Sequence, residues 1–195
     1  MTVAAPAKLL SLDEYLVYQT DSDVRYELVN GKLVEMPTES PKNCAIAKLL
    51  LLELAKHISI LLIFLKDLEI VVSGSRAKVR LPDLTILSEE GYAALVGKTS
   101  NTITGDMPVP ALVVEVVSPG QENRDRDYRF KRTEYAARGI AEYWIIDPQS
   151  QQITICLWVN GQYEDTIYTE DSALVSTIVP KFSLSSNQIL AFGQP

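Results

Sequence analysis

Ala111-Leu112-Val113-Val114-Glu115-Val116-Val117-Ser118-Pro119-Gly120 is the stretch that decides the fold. A near-continuous β-branched run of this kind marks a strand buried on both faces. Ser118-Pro119-Gly120 stops it abruptly. A helix is expected from about Arg124 to Arg138, and Gly139 stands just past its end, where a left-handed residue closes helices. Glu142 to Ile146 is a second buried strand, closed by Asp147-Pro148. Strand, helix and strand in that order make a βαβ-like unit and place the chain in the α/β class.

Working outward, the elements are shorter. Ser11-Leu12-Asp13-Glu14 has the spacing of a capping box, which predicts a short helix to about Gln19. Val24 to Val29 and Lys32 to Met36 flank Asn30-Gly31, the strongest short-range hairpin signal because both residues tolerate positive φ. A helix from about Asn43 carries Ile46, Leu49, Leu50, Glu53, Leu54 and His57 at helical spacing, and Ile58 to Leu65 continues it as buried helix before a turn at Lys66 and Asp67. Leu68 to Ser73 and Lys78 to Leu87 are strand-like runs around a Gly-Ser turn, and Pro82 within the second implies an edge, a bulge or an irregular crossing. Ser88 to Lys98 is a short helix or loop, and Thr99 to Pro110 is a polar connection without periodicity. Ile153 to Val159 and Gln162 to Tyr168 form a last hairpin on Asn160-Gly161. Neither a repeat nor a linker interrupts the chain. A single domain over residues 1–195 is expected, with residues 1–10 a flexible N-terminus.

Composition narrows the functions. The 195 residues carry a net charge of −7 and one histidine, His57. The charge has the wrong sign for coating nucleic acid, and one histidine excludes an HExxH zinc site. His57 is expected to pack in or along its helix, and Trp144 and Trp158 in the core. Cys44 and Cys156 lie in apolar runs and read as buried free thiols rather than a disulfide framework. The N-terminus lacks the apolar core of a signal peptide. Charges at Lys48, Glu53 and Lys56 leave no span of about 20 apolar residues for a membrane. A cytoplasmic protein follows as the expectation.

The informative residues are charged ones where the pattern asks for apolar ones. Glu115 interrupts a buried strand, where an ionised carboxylate costs far more than a valine's burial gains unless it is paired or binds metal. Asp83 follows a proline within an apolar run, and Glu27 interrupts another strand. Tyr128, Lys131 and Tyr135 fall at i, i+3 and i+7, so Lys131 lies on a core-facing helical stripe. Carboxylates at neighbouring strand ends supply hard oxygen ligands that suit Mg²⁺ or Mn²⁺. A nearby lysine orients and helps deprotonate a water for attack on a phosphoryl group. The same residues also fit a structural ion pair, with Lys131 a lysine whose stem packs on tyrosines while its head reaches water.

Five blocks then carry a resemblance: Val24 to Met36; Leu81-Pro82-Asp83-Leu84; Val113 to Pro119; Arg124 to Lys131; and Gly139 to Pro148. In this order, over about Lys8 to Leu190, the chain resembles the Uma-two family, assigned as endonucleases of the restriction-endonuclease-like PD-(D/E)XK superfamily. The resemblance implies a mixed central β-sheet flanked by helices with added β-hairpins. It also implies Asp83 and Glu115 as metal-binding acids, joined by the Val116 carbonyl, and Glu27 as accessory acid. The superfamily's lysine belongs two residues after the glutamate, where this chain has Val117; its role is transferred to Lys131 on the following helix. Asn43 stands where similar sequences often carry histidine. The implied function is Mg²⁺- or Mn²⁺-dependent hydrolysis of phosphodiester bonds in nucleic acid, DNA first, with a homodimer plausible for duplex cleavage. The alternative is a nuclease-fold module that binds nucleic acid or a protein partner without cutting. The stretch Arg124 to Arg138, six basic residues against three acidic ones, offers local positive charge beside the acids despite the acidic whole.

Overall fold

Leu112–Val116 (β8) is a strand with all five residues buried, and the chain around it is described by a computed structural model for residues 9–18, 24–74 and 78–193. The expected flexible N-terminus lies, apart from residues 9 and 10, outside the described residues. Before β8 come α1 (Leu12–Leu16), β1 (Tyr26–Val29), β2 (Lys32–Glu35), α2 (Pro41–Leu54), β3 (Ile63–Phe64), β4 (Glu69–Val72), β5 (Lys78–Arg80), β6 (Leu84–Ile86), α3 (Glu89–Leu95) and β7 (Thr102–Ile103). After it come α4 (Gln121–Asp125), a π-helical stretch (Arg126–Lys131), α5 (Arg132–Arg138), β9 (Glu142–Asp147), β10 (Gln152–Val159), β11 (Gln162–Tyr168) and α6 (Ser186–Leu190).

The strands divide into two mixed sheets flanked by helices, in the orders β2-β1-β5-β4-β7 and β11-β10-β9-β8-β6-β3. As the βαβ reading requires, β8 and β9 run parallel, with Val114 level with Trp144. One face of the six-stranded sheet, with Leu84, Val114, Val116, Trp144 and Ile146, packs on Ile46, Leu50 and Leu54 of α2 and on α6. The opposite face brings Val113 and Val117 together with Ile70 and Val72 of the other sheet and Tyr135 of α5. Glu115 has the parity of Val113 and Val117, so its side chain enters the space where the two sheets and the helix meet.

The run Lys78 to Leu87 is not one strand. It passes from one sheet to the other, β5 pairing with β1 and β4 while β6 pairs with β8. Leu81-Pro82-Asp83 is the crossing, where proline's missing N–H costs no ladder bond. Other expectations shift for local reasons. α1 stops at Leu16, and Gln19 lies outside the described residues, as does Ser75 of the expected Gly-Ser turn. α2 begins two residues early because Ser40 caps it and Pro41 sits in the first turn. It ends at Leu54, so His57 is exposed beyond it. Ser59 then caps a 3₁₀ turn (Ile60–Leu62), and Ile63 pairs with Ile86 where helix had been expected. Thr102–Ile103 is a strand too short to show a period, pairing parallel to β4. Trp158, near the end of β10, is 39% exposed, its indole N–H donating to the Ala136 carbonyl (2.9 Å). Cys44 is half-buried; it and Cys156 are free thiols. Among the described residues, no helix is long and apolar enough to cross a membrane.

The Asn30-Gly31 turn takes φ of +52° and +81°. A Cβ on Gly31 would stand 3.0 Å from the Leu10 carbonyl oxygen, which lies close because Leu10 N–H donates to the Gly31 carbonyl (2.7 Å). Gly97 has φ +82° with open space around it. Left-handed backbone costs an L-residue about 1 kcal/mol. Urea denaturation should therefore show Gly97→Ala losing about that much and Gly31→Ala losing clearly more; equal losses would refute the steric contribution at Gly31.

Candidate active site

Four of the buried charges converge where the sheets meet. Continuing the antiparallel register Leu84 to Val114 by one residue brings Asp83 level with Glu115 on the same face of the sheet. Asp83 Oδ2 accepts from the Val116 N–H (2.6 Å), and Oδ1 lies 2.9 Å from Lys66 Nζ. Glu115 Oε1 accepts from Lys131 Nζ and from the Tyr135 hydroxyl, each at 2.8 Å. Lys131 Nζ is also 3.2 Å from Glu27 Oε1 and 3.8 Å from Asp127 Oδ1. Lys131 is only 1% exposed, so the reading of a lysine reaching water fails.

Glu27 comes from β1, one residue along from the Leu28 to Val79 pairing, which sets it level with Arg80. Arg80 Nη1 donates to Glu27 Oε2 (2.8 Å), while its Nε and Nη2 grip Glu134 at 2.7 and 3.1 Å. Leu81 N–H donates to Glu27 Oε1 (3.2 Å). Glu27 is thus held by Arg80, the Leu81 N–H and Lys131 together. A cleft of about 350 Å³ between the first hairpin and the helical wall opens onto Glu27, Arg80, Arg126 and the exposed ring of Phe130.

The helical wall owes its register to the π-helical stretch. Closing i→i+5 hydrogen bonds widens the turn, so the residue four back, not three, aligns with Lys131. Asp127 is therefore buried beside the lysine, while Tyr128 is half-buried and its hydroxyl donates to Asp147 (3.3 Å). Part of the positive charge that the sequence placed here is met across space. Arg124 pairs with Asp147, Arg126 with Asp127 and Arg132 with Asp165, while Arg129 stays 71% exposed and Arg138 donates to the Thr104 and Met107 carbonyls.

Electrostatics separate the two glutamates. Burial raises the Glu27 carboxyl, but the charges of Lys131 and Arg80, with the Arg80 and Leu81 hydrogen bonds, outweigh it and hold the group down to about 2. Burial dominates at Glu115: with Asp83, Asp127 and Glu27 nearby it outweighs Lys131 and pushes the carboxyl up to about 8. Lys131 moves upward too, because Glu115, Glu27 and Asp127 outweigh its desolvation, so it keeps its proton. A protonated ammonium in this place can orient a water and favour its loss of a proton by offsetting the negative charge that forms.

Asp127, Arg80, Lys66 and Glu39 were not legible as site residues. The alternation Lys78-Val79-Arg80 gave a faint signal, since Arg80 falls on the face opposite Val79; the i, i+4 spacing of Asp127 and Lys131 gave another, since it sets both on one helical face.

Comparison with known proteins follows these features. The sequence pattern of the Uma2 family, described as "Putative restriction endonuclease", matches residues 12–187. The chain belongs to the Uma2 family. A solved structure from Anabaena variabilis, titled as a "putative nuclease belonging to DUF820", superposes with a TM-score of 0.73 at 19% identity, covering 93% of this chain and 98% of that one. Its fold is therefore shared. No match is found among curated proteins.

For this Uma2 chain the divalent ion of restriction-endonuclease-like enzymes has a chemically suitable set of donors. Among the described residues, no three of the His, Cys, Asp and Glu side chains form a metal cluster. Mg²⁺, however, keeps several waters and needs only one or two carboxylates. Asp83, Glu115 and the Val116 carbonyl are all hard oxygen donors. Asp127 Oδ2 is buried without a hydrogen-bond partner. Six carboxyl groups (Glu27, Glu39, Asp83, Glu115, Asp127, Glu134) also stand against five cations (Lys66, Lys78, Arg80, Arg126, Lys131), so the cluster can take further positive charge once Glu115, pushed up to about 8, gives up its proton.

The two glutamates should respond oppositely to neutralisation. For Glu27 the fall from about 4.5 to about 2 is worth about 3 kcal/mol. Because the folded value lies below the unfolded one, that contribution is complete above about pH 4.5 and is lost as pH falls towards 2. Glu27→Gln should cost about this much at pH 7 in urea denaturation followed by the fluorescence of Trp144 and Trp158. Glu115→Gln should be no less stable than the parent at pH 7, since Glu115 binds its proton more readily folded than unfolded. A large loss in the second variant would contradict the assignment.

Proposed function

We propose that this Uma2 protein is a Mg²⁺- or Mn²⁺-dependent endonuclease that hydrolyses phosphodiester bonds, with DNA as substrate. The observation that carries the reading is the 2.8 Å contact of Lys131 with Glu115: a helix supplies the ammonium that Val117 cannot. In this reading Asp83, Glu115 and the Val116 carbonyl hold the metal, with Glu27 as accessory acid. When bound, the ion would neutralise phosphoryl charge and make a coordinated water more acidic.

The protein's own groups do the rest. Lys131, fixed between Glu115 and Glu27, donates hydrogen bonds that orient a water and offset developing charge. Arg80 holds Glu27 in place from the opposite side, and Tyr135 restricts Glu115. The cleft beside Phe130 offers an apolar ring to a base and leads to Glu27. The reading includes action in the cytoplasm and, where both strands of a duplex are cut, a homodimer.

A second reading has one observation in its favour. Lys131 and Lys66 already occupy the carboxylates, as in a closed structural network, which suits a nuclease-fold module that binds nucleic acid or a protein without cutting. Cleavage of plasmid DNA with Mg²⁺ or Mn²⁺ separates the two. The parent should nick or linearise DNA only with metal, and Asp83→Ala, Glu115→Ala and Lys131→Met should each fall at least 100-fold. Metal-dependent cleavage that survives in Glu115→Ala and Lys131→Met would reject this site. No cleavage by the parent, together with no saturable heat on titration with Mn²⁺, would favour the binding module.

A further inference from the structure

Two lysines divide the two metal-binding candidates between them. Lys131 serves Glu115; Lys66 serves Asp83. The Lys66 ammonium lies 2.9 Å from Asp83 Oδ1 and 2.7 Å from Glu39 Oε1. Asn43 completes the corner, its amide nitrogen 3.2 Å from Glu39 Oε2 and 3.2 Å from the Val116 carbonyl oxygen. A cation therefore already stands against the aspartate, and an amide against the carbonyl, that the proposed metal requires.

Lys66 is built for this place. Its backbone adopts φ +55°, a left-handed conformation uncommon for a lysine. Its N–H donates to the Asp83 carbonyl (3.2 Å), and its own carbonyl accepts from Arg25. The conformation is thus held from both sides, as strained residues at functional sites are. The side chain is 26% exposed, against 1% for Lys131. It also borders a second cleft, of about 390 Å³, lined by Tyr15, Arg25, Tyr26 and Leu81. Lys131 is enclosed and has nowhere to go, whereas Lys66 can leave Asp83 by rotating its flexible stem into open space.

We propose that Lys66 is a positioning residue that competes with the divalent ion for Asp83, keeping the carboxylate aimed and neutralised until metal is bound and then yielding it towards the adjoining cleft. This rests on the metal-site reading above. The competition sets the metal concentration at which the site fills, because each binding event must break the contact of Lys66 with Asp83.

Calorimetric titration with MnCl₂, paired with thermal unfolding with and without Mn²⁺, tests it on the parent, Lys66→Met and Lys66→Arg. Lys66→Met keeps the apolar stem and removes the charge; it should bind Mn²⁺ at least tenfold more tightly and show a larger Mn²⁺-induced rise in Tm. Lys66→Arg keeps a competing cation and should stay near the parent's affinity. Cooperative unfolding without metal establishes that each variant is folded, and Lys66→Gln replaces Lys66→Met if it is not. Binding by the parent with equal or weaker binding by the neutral variant overturns the inference while leaving the metal site standing. Absence of saturable heat in the parent and in the neutral variant overturns the metal reading itself, and the inference with it.

Discussion

Burying the ammonium of Lys131 is the constraint around which the rest of this molecule is arranged. A charge out of water must be met by charges and hydrogen bonds at short range, and here they come from three separate parts of the chain: Glu27 on β1, Glu115 on β8, and Asp127 on the helical wall that carries Lys131 itself. Arg80 extends the set to Glu134 on α5. Such a network is weak evidence for stability, because well-packed apolar residues of the same volume would do as well or better. Its cost is better explained by chemistry than by folding.

Glu142 shows what a structural buried carboxylate looks like in the same sheet. It accepts from the Trp144 indole, the Ser176 and Thr177 hydroxyls and the Ile178 N–H, all neutral donors, and among the described residues it pairs with no lysine or arginine. The contacts from Ser176, Thr177 and Ile178 tie the C-terminal segment to the sheet. Glu115 is held instead by a lysine and a tyrosine, in company with other acids. Burial is common to both; the identity of the partners distinguishes them.

Much of this was legible in the sequence, and the part that was not has identifiable causes. The β-branched run at Leu112 to Val117, the Asn-Gly turns and the Ser11 capping box are local signals, and the elements they announce formed. Glu115 and Lys131 stood out because each broke a local apolar pattern, and the contact between them followed from the βαβ connection. Lys66, Glu39 and Asp127 broke no pattern. Lys66 lies in a connection and Glu39 just before a helix, where charges are ordinary, and Asp127, on the face of Lys131 at i and i+4, reads equally well as an ordinary helical ion pair. The split of Lys78 to Leu87 between two sheets was hinted at by Pro82, but which sheet received each half depends on pairing far along the chain. Counting charges along the helix could not show that Arg124 and Arg132 are met by carboxylates across space.

The crossing at Leu81-Pro82-Asp83 makes the two sheets mechanically dependent on each other. Glu27 and Arg80 belong to one sheet, Asp83 and Glu115 to the junction with the other, and three residues join the two sets. Sliding of one sheet over the other by even a single residue spacing would part the acids from the lysine. The proposed catalytic set is therefore a readout of complete tertiary assembly: a half-folded chain, with either sheet formed alone, holds its charged residues apart and is chemically silent towards whatever nucleic acid surrounds it during synthesis.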